Sequence, residues 1–395
     1  MSANTLKLAF IGGGVNSAVG YTHFCASQLD DAWKLVAGAF SSNYPVNEET
    51  AFSYGISQDR LYDNWQDLLI AEKNEIDAVV ILTPTPIHEE MVISALSLDI
   101  PVICEKSLTN DLASSARINS ALKKNNGFLS VTYNYSAYPM VRELRTRISR
   151  GELGKLMQIQ IEMPQEGYIR GGKHAKVSPI QSWRTHDGSI PTIHLDLTCH
   201  LHQLIYFLTK LHPVTVRAQE NTYGKIDNIV DDASALIEYE QDFFARLWVS
   251  KSALGYKNGM SLRIFGDNAS AFWEQTSPEL LTINYADGRR EIIERGSFCY
   301  TANAPRYNRF KAGHPSGFIE AFANLYTDFA NAIIYRKNHR DSKNHDLDLF
   351  SGAYSYGIAN EGLELMEAIH KSALNKKTLS MNNPIKPELL ELKFG

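Results

Sequence analysis

The sequence predicts an α/β chain in two parts: a doubly wound parallel sheet over its first third, then an α+β part built on a large, mostly antiparallel open sheet. Three observations predict it. The 395 residues, 44% of them hydrophobic and 21% charged, bury a sizeable core and exceed one average domain. Short β-rich runs alternate with helical patterns only up to about residue 135, the mark of a parallel sheet covered on both faces. Beyond Pro139 the strands follow one another with little helix between them.

In chain order, the first part has strands at 7–11, 33–39, 77–82, 101–104 and 128–133. Helices are predicted between them over 18–29, 65–72, 88–98 and 113–125, with Gly127 stopping the last. A helix over 140–150, ended by Gly151, opens the second part. Its strands are expected at 156–163, 214–220, 233–240, 244–250, 261–265, 270–274, 280–285 and 290–293, with turns such as Gly266-Asp267-Asn268 and Asp287-Gly288. Helices at 318–335 and 354–372 close the chain. There is no internal repeat and no low-complexity tract.

Lys and Arg total 39 against 44 Asp and Glu, a net charge of −5, which argues against the basic field of a nucleic-acid binder and favours a small-molecule partner. No apolar stretch reaches the roughly 18 residues that span a bilayer, and the start lacks a basic leader, so a cytoplasmic location without membrane attachment is expected. Cys25, Cys104, Cys199 and Cys299 are too scattered for a disulfide frame or a zinc site and read as reduced thiols.

The first chemical signal is Gly12-Gly13-Gly14-Val15-Asn16-Ser17-Ala18-Val19-Gly20, set between the first strand and the first helix. Glycines there let the backbone approach a pyrophosphate, while a helix N-terminus offers N–H donors, so the loop reads as the phosphate site of a Rossmann dinucleotide-binding unit. Ser17 takes the third glycine position of G-x-G-x-x-G. An acidic residue after the second strand would grip the ribose of NAD, and an Arg the 2′-phosphate of NADP; Phe40-Ser41-Ser42-Asn43 offers neither, and the missing cation favours NAD.

Two further segments end strands, where an open α/β sheet binds its ligands: Thr83-Pro84-Thr85-Pro86 with His88, and Glu105-Lys106-Ser107. A lysine ending a buried strand either meets a partner or snorkels to solvent. In the segment His194 to Leu208, Asp196 and His200 stand four apart, on one face if the segment is helical, and Leu197, Leu201, Leu204, Ile205 and Leu208 form an apolar stripe. A carboxylate one turn from an imidazole suits a proton-transfer pair; a surface ion pair has the same spacing, and a metal site of His194, Asp196 and His200 lacks a further ligand cluster.

With Asn134, Pro139, Gly151-Glu152-Leu153-Gly154 and Trp183-Arg184, these residues give a pattern over nearly the whole chain that resembles the Gfo/Idh/MocA oxidoreductases. The run Gly313-His314-Pro315-Ser316-Gly317-Phe318-Ile319-Glu320-Ala321-Phe322 is similar to the G-H-P-x-G-x-x-E-A-F segment of its sugar and polyol dehydrogenase branch, which includes inositol and levoglucosan dehydrogenases. The resemblance implies a dinucleotide-binding Rossmann domain over 1–135 and a substrate-binding and oligomerisation α+β domain over 136–395. It makes Lys106 the lysine of an E-K-P motif, with Ser107 in place of its proline, and Asp196 and His200 a D-x-x-x-H pair. Cofactor contacts would come from Gly12, Gly14, Val15, Asn16, Ser41, Ser42, Thr83, Pro84, His88, Glu105, Lys106, Trp183 and Arg184. Substrate contacts would come from Lys106, Asn134, Tyr168, Arg184, Asp196, His200 and His314.

The activity so implied is hydride transfer between NAD or NADP and a secondary hydroxyl of a sugar, anhydrosugar or cyclic polyol. His200 would be the base, Lys106 the electrostatic partner and proton relay, and Asp196 the orienter of His200 or of a substrate hydroxyl. A homo-oligomer, dimer or tetramer, is expected. The resemblance also covers NAD-retaining glycoside hydrolases and non-catalytic dinucleotide-binding regulators; retention of Lys106, Asp196 and His200 argues against a regulator.

Overall fold

The computed structural model describes residues 5–17, 19–170, 182–311, 313–338 and 351–381. Strands β1 (Leu6–Gly12), β2 (Trp33–Ala39), β3 (Ala78–Leu82), β4 (Val102–Cys104) and β5 (Leu129–Val131) form a parallel sheet in the order β2-β1-β3-β4-β5. Every residue of β3, β4 and β5 is buried, which is why these strands read as continuous apolar runs rather than alternating ones. The chain leaves β1 toward one side and later returns on its other side as β3. That reversal opens a crevice at the carboxyl ends of β1 and β3.

Helices α1 (Gly20–Gln28), α2 (Tyr44–Tyr54), α3 (Trp65–Glu72), α4 (His88–Ser97) and α5 (Leu112–Lys124) cover the sheet. Side-chain caps start α3, where Asn64 accepts from Asp67 N at 2.8 Å, and α5, where Asp111 accepts from Ser114 N at 2.8 Å. Helix α2 has no counterpart in the sequence-based expectation. It buries Asn47 and Thr50 beside Ala51 and Tyr54, so it carries no apolar stripe to signal it. The expected start of the first helix at Ala18 lies outside the described residues; the helix itself begins at Gly20.

After α6 (Pro139–Ser149), which has proline in its first turn, the chain lays down β6 (Leu156–Pro164). Next come α7 (Cys199–Thr209), β7 (Pro213–Asn221), β8 (Asp232–Tyr239), β9 (Phe243–Ser250), β10 (Ser261–Gly266), β11 (Ala269–Glu274), β12 (Leu280–Tyr285) and β13 (Arg290–Glu294). Helices α8 (Phe318–Asn338) and α9 (Tyr356–Asn375) follow, and a short β14 (Leu379–Ser380), not expected from the sequence, pairs with β7. The resulting sheet runs β13-β12-β11-β10-β6-β9-β8-β7-β14, antiparallel throughout except for β6 beside β9.

Helix α8 returns to the first sheet: Phe322, Tyr326 and Phe329 join the core that holds Trp33, and Trp33 Nε1 donates to Tyr326 O at 2.7 Å. Helix α9 contributes Leu363 and Met366 to that core and Leu365 and Ile369 to the core of the second sheet. Among the described residues no helix is long and apolar enough to cross a membrane.

Candidate active site

The glycine loop is shaped by close approaches. Gly12 and Gly13 have φ of +78° and +77°, and a Cβ on Gly13 would lie 2.5 Å from Leu82 Cδ1. The close strand-to-helix contact falls to Gly20, where a Cβ would come within 2.1 Å of Gly13 O. Ser17 caps the turn instead, its hydroxyl accepting from Gly20 N at 3.2 Å. Beside the loop lies a cavity of about 660 Å³ lined by Gly12, Gly14 and Asn16, by Ser41 and Ser42 past β2, by Thr83 and Pro84 past β3, and by Glu105, Lys106, Trp183 and Arg184.

Two expected cofactor contacts do not line it. Val15 turns toward α2, its N–H donating to Thr50 Oγ1 at 3.0 Å. His88 is fully buried, with Nε2 2.8 Å from Thr83 O and Nδ1 3.1 and 3.2 Å from the carbonyls of Ser107 and Leu108. It ties the end of β3 to the segment after Lys106 and has no face toward the cavity. Burial pushes its imidazole down against the pull of these carbonyls.

Past β4, Glu105 is held from behind by His23 Nε2 at 3.0 Å and by the Thr132 hydroxyl, and His23 Nδ1 stands 2.9 Å from Tyr326 OH. Burial favours the neutral carboxyl, but the His23 hydrogen bond and the Lys106 charge outweigh it and hold Glu105 below its ordinary value. The Lys106–Ser107 peptide is cis, and Ser107 Oγ donates to Leu195 O at 2.8 Å. Lys106 Nζ donates to Asp196 Oδ1 at 2.8 Å and to Asp196 O at 2.9 Å.

Asp196 sits in a π-helical turn, His194–Thr198, that leads into α7. Of the two roles expected for its carboxylate, orienting His200 or a substrate hydroxyl, the first has no hydrogen bond to carry it among the described residues. The wider turn breaks the simple four-residue facing of a regular helix. Asp196 Oδ2 instead accepts from Arg184 Nη1 at 2.6 Å and from Lys251 Nζ. Burial opposes this charge, yet Lys106, Lys251 and Arg184 hold the carboxyl well below its ordinary range. Burial pulls Lys106 the other way, and Asp196 outweighs it to keep that ammonium raised.

His200 is buried edge-on to the Tyr135 ring at 4.8 Å, and its Nδ1 has no hydrogen-bond partner among the described residues. Burial, then the Lys106 charge, brings the imidazole down to about 3, so it is neutral near pH 7. His194 turns away from Asp196 toward Thr198 Oγ1 and Glu220 Oε1, both at 2.8 Å.

A second cavity, of about 200 Å³, is lined by Asn134, Gln165, Asp196, His200 and Asn258 with apolar walls from Met163, Phe318 and Phe322. It shares Val19, Glu105, Lys106 and Arg184 with the first. Tyr168 stands outside this lining, its ring 5.4 Å from Lys251 Nζ. His314 also stands outside it: the residue is exposed, and its carbonyl accepts from Arg295 Nη2 at 3.0 Å. Lys251, Gln165 and Asn258 escaped sequence reasoning. Lys251 directly follows β9, whose burial alternates, so it lacks the fully buried strand that singled out Lys106.

Comparison with known proteins bears on this geometry. Residues 6–133 match the model of an oxidoreductase family with an NAD-binding Rossmann fold, and residues 141–272 match that of the GFO/IDH/MocA C-terminal domain. An uncharacterised oxidoreductase of Bacillus subtilis is 29% identical over 369 residues, 91% of each chain. The crystal structure of an inositol dehydrogenase homologue from Azotobacter vinelandii, complexed with NADH and myo-inositol, superposes with a TM-score of 0.84 at 25% identity, covering 96% of this chain and 98% of that one. Levoglucosan dehydrogenase of Pseudarthrobacter phenanthrenivorans is 22% identical over 282 residues, 65% of this chain and 69% of that protein.

Proposed function

Because the chain belongs to the Gfo/Idh/MocA family of NAD-binding oxidoreductases, we propose that it is a dehydrogenase that moves a hydride between a nicotinamide dinucleotide and a secondary hydroxyl of a sugar or cyclic polyol. One observation carries the reading. The large cavity beside the glycine loop and the small polar cavity beside His200 meet at Lys106, Glu105, Arg184 and Val19, so a ligand in each would touch there.

In this reading residues 1–135 hold the dinucleotide and 136–395 the substrate and any partner copy. The glycine loop fits such a group, since its backbone is bare where a Cβ would clash and its cavity runs from Ser41 and Ser42 to Lys106. When bound, the dinucleotide supplies the hydride acceptor. The substrate hydroxyl loses its proton to the neutral His200 imidazole as the carbon–hydrogen bond breaks. The Lys106 ammonium favours the developing alkoxide, and Asp196 keeps that ammonium charged and aimed. Asn134 offers an amide nitrogen without a partner among the described residues. NAD or NADP serves, with NAD favoured by the lack of a cation among Ser41, Ser42 and Asn43. A cytoplasmic homo-oligomer, associating through the open second sheet, completes the reading.

The test is a panel of sugars and cyclic polyols assayed with each dinucleotide by absorbance at 340 nm. Reduced cofactor that accumulates mole for mole with oxidised product supports the dehydrogenase. Product formed with no net reduction points to the hydrolase, and dinucleotide binding without turnover of any panel member points to the regulator.

A further inference from the structure

Apart from the His200 imidazole, whose Nδ1 has no partner among the described residues, the carboxylate and amide acceptors of Asp196, Glu105, Gln165 and Asn258 around the second cavity already take donors of the protein itself. Asp196 takes Lys106, Lys251 and Arg184, and Glu105 takes His23 and Thr132. Gln165 Oε1 accepts from Lys251 Nζ at 3.4 Å, and Asn258 Oδ1 accepts from Gln165 Nε2 at 3.0 Å. The donors that line the cavity are Lys106 and Arg184, both paired to Asp196, and the Asn134 amide, whose Nδ2 has no partner among the described residues in a residue 3% exposed.

Charge runs the same way. Among the described residues of this cluster, Lys106, Lys251 and Arg184 outnumber Asp196 and Glu105. Lys251 does not line the cavity; Asp196 shares its one charge among Lys251, Lys106 and Arg184, and the last two line the cavity. Burial lowers Lys251, and the charges of Arg184 and Lys106 lower it further against the pull of Asp196. A neutral polyol needs acceptors as well as donors, because each of its hydroxyls carries a proton to place. An anionic oxygen group accepts only.

We propose that the substrate of this site is an acidic one, a sugar or polyol bearing a carboxylate or phosphate group that sits between Lys106, Arg184 and Asn134. The proposal rests on the dehydrogenase reading for its reaction but not for its recognition. Lys251 is then a positioning residue: by engaging Asp196 and Gln165 it leaves the cavity short of acceptors and long in positive charge.

The test uses titration calorimetry on the full chain saturated with NADH, so that binding is read without turnover. Glucose is compared with glucuronate and glucose 6-phosphate, and galactose with galacturonate. At least one charged ligand should bind tenfold or more tightly than its neutral parent, with an advantage that shrinks at high salt. The uronate and phosphate arms identify the anionic group. Lys251→Met should cut that advantage at least fivefold and Lys251→Arg should keep it; Arg184→Gln gives the same readout if Lys251→Met does not fold. Neutral parents that bind as tightly as the charged ligands, charged ligands that all fail to bind, or an advantage untouched in Lys251→Met and Arg184→Gln overturn the proposal. Preferential binding of an anion with no oxidation would sink the dehydrogenase reading alone, whereas oxidation confined to neutral sugars would sink this inference alone.

Discussion

Lys106 is gripped twice by Asp196, through the carboxylate at 2.8 Å and through the main-chain carbonyl at 2.9 Å. The side-chain bond fixes the charge of the ammonium, and the main-chain bond fixes its position even if that charge is lost.

Asp196→Asn therefore tests charge with little change of shape. It leaves Lys106, Lys251 and Arg184 without their shared counter-charge, and breaking a buried pair costs about 3 kcal/mol. We expect a lower urea midpoint together with kcat/KM reduced by roughly a hundredfold. A variant of wild-type stability and activity would remove Asp196 from the machinery.

Lys106→Ala and His200→Ala address the proposed base and its partner. If both act as the alkoxide forms, each lowers kcat and kcat/KM together by about a hundredfold, with little effect on dinucleotide affinity. The double variant should lose less than the two losses combined, since both groups work on the same proton. Steady-state kinetics that show only a raised KM would make both residues substrate grips.

The pH profile follows from burial. With His200 held to about 3 and Lys106 raised, neither group changes charge between pH 5 and 9 in the free enzyme. The corresponding kcat/KM profile should be flat across that range. An inflection near 6.5 that vanishes in His200→Ala would show the imidazole titrating near its solution value instead.

Discrimination between dinucleotides should depend on Asp63. A parallel bridge pairs Gly38 with Leu61, Tyr62 N donates to Gly38 O at 2.9 Å, and Asn47 ties Phe40 N to Tyr62 O. This edge carries Asp63 to the cavity rim with Ser41 and Ser42, a carboxylate where the end of β2 has none. NAD should bind better than NADP, and Asp63→Asn should narrow the gap by about tenfold. Equal ratios in wild type and variant, measured by fluorescence titration, would count against this role.

Stability should vary with pH through two carboxylates that tie α9 to its neighbours, Glu220 from β7 and Glu361 on α9 itself. Glu220 lies 2.8 Å from both His194 Nε2 and His370 Nδ1, and Glu361 lies 2.5 Å from His212 Nδ1. Burial would raise both acids, but their histidine hydrogen bonds bring each down to about 2, so the stability they add is present above roughly pH 4.5 and fades as pH falls toward 2. His212 and His370 are raised by the same bonds, and their share is complete below roughly 6.5 and fades as pH rises through the raised values. Thermal unfolding of Glu361→Gln should lose ~3 °C or more between pH 4.5 and 6.5, with a smaller loss at pH 9. A loss independent of pH would assign the effect to packing.

The strands of the first sheet were legible because a parallel core strand is apolar on both faces, as β3 is. Helix α2 was not, since Asn47 and Thr50 occupy its buried side and serve as hydrogen-bond groups. That Lys106 and the glycine loop line one cavity was legible from residue type together with position at strand ends. The lack of an Asp196–His200 hydrogen bond was not legible because a spacing of four assumes a regular turn, and the place of His88 was not because the Ser107 and Leu108 carbonyls, 19 and 20 residues on, claim its Nδ1 while nearby Thr83 claims Nε2. Lys251 follows β9, 55 residues along the chain from Asp196, and no local pattern ties the two.

Helix α8 gives the molecule an unusual order of completion. Trp33, near the start of the chain, finds its hydrogen-bond acceptor in Tyr326, and the same tyrosine stands against His23 behind Glu105. During synthesis the first sheet is complete at Val131, 187 residues before Phe318 opens the helix that seals one of its faces. The earliest part of the polypeptide is thus among the last to be finished, and a product truncated before α8 would present Trp33 and its neighbours to water, where a chaperone or a protease finds them first.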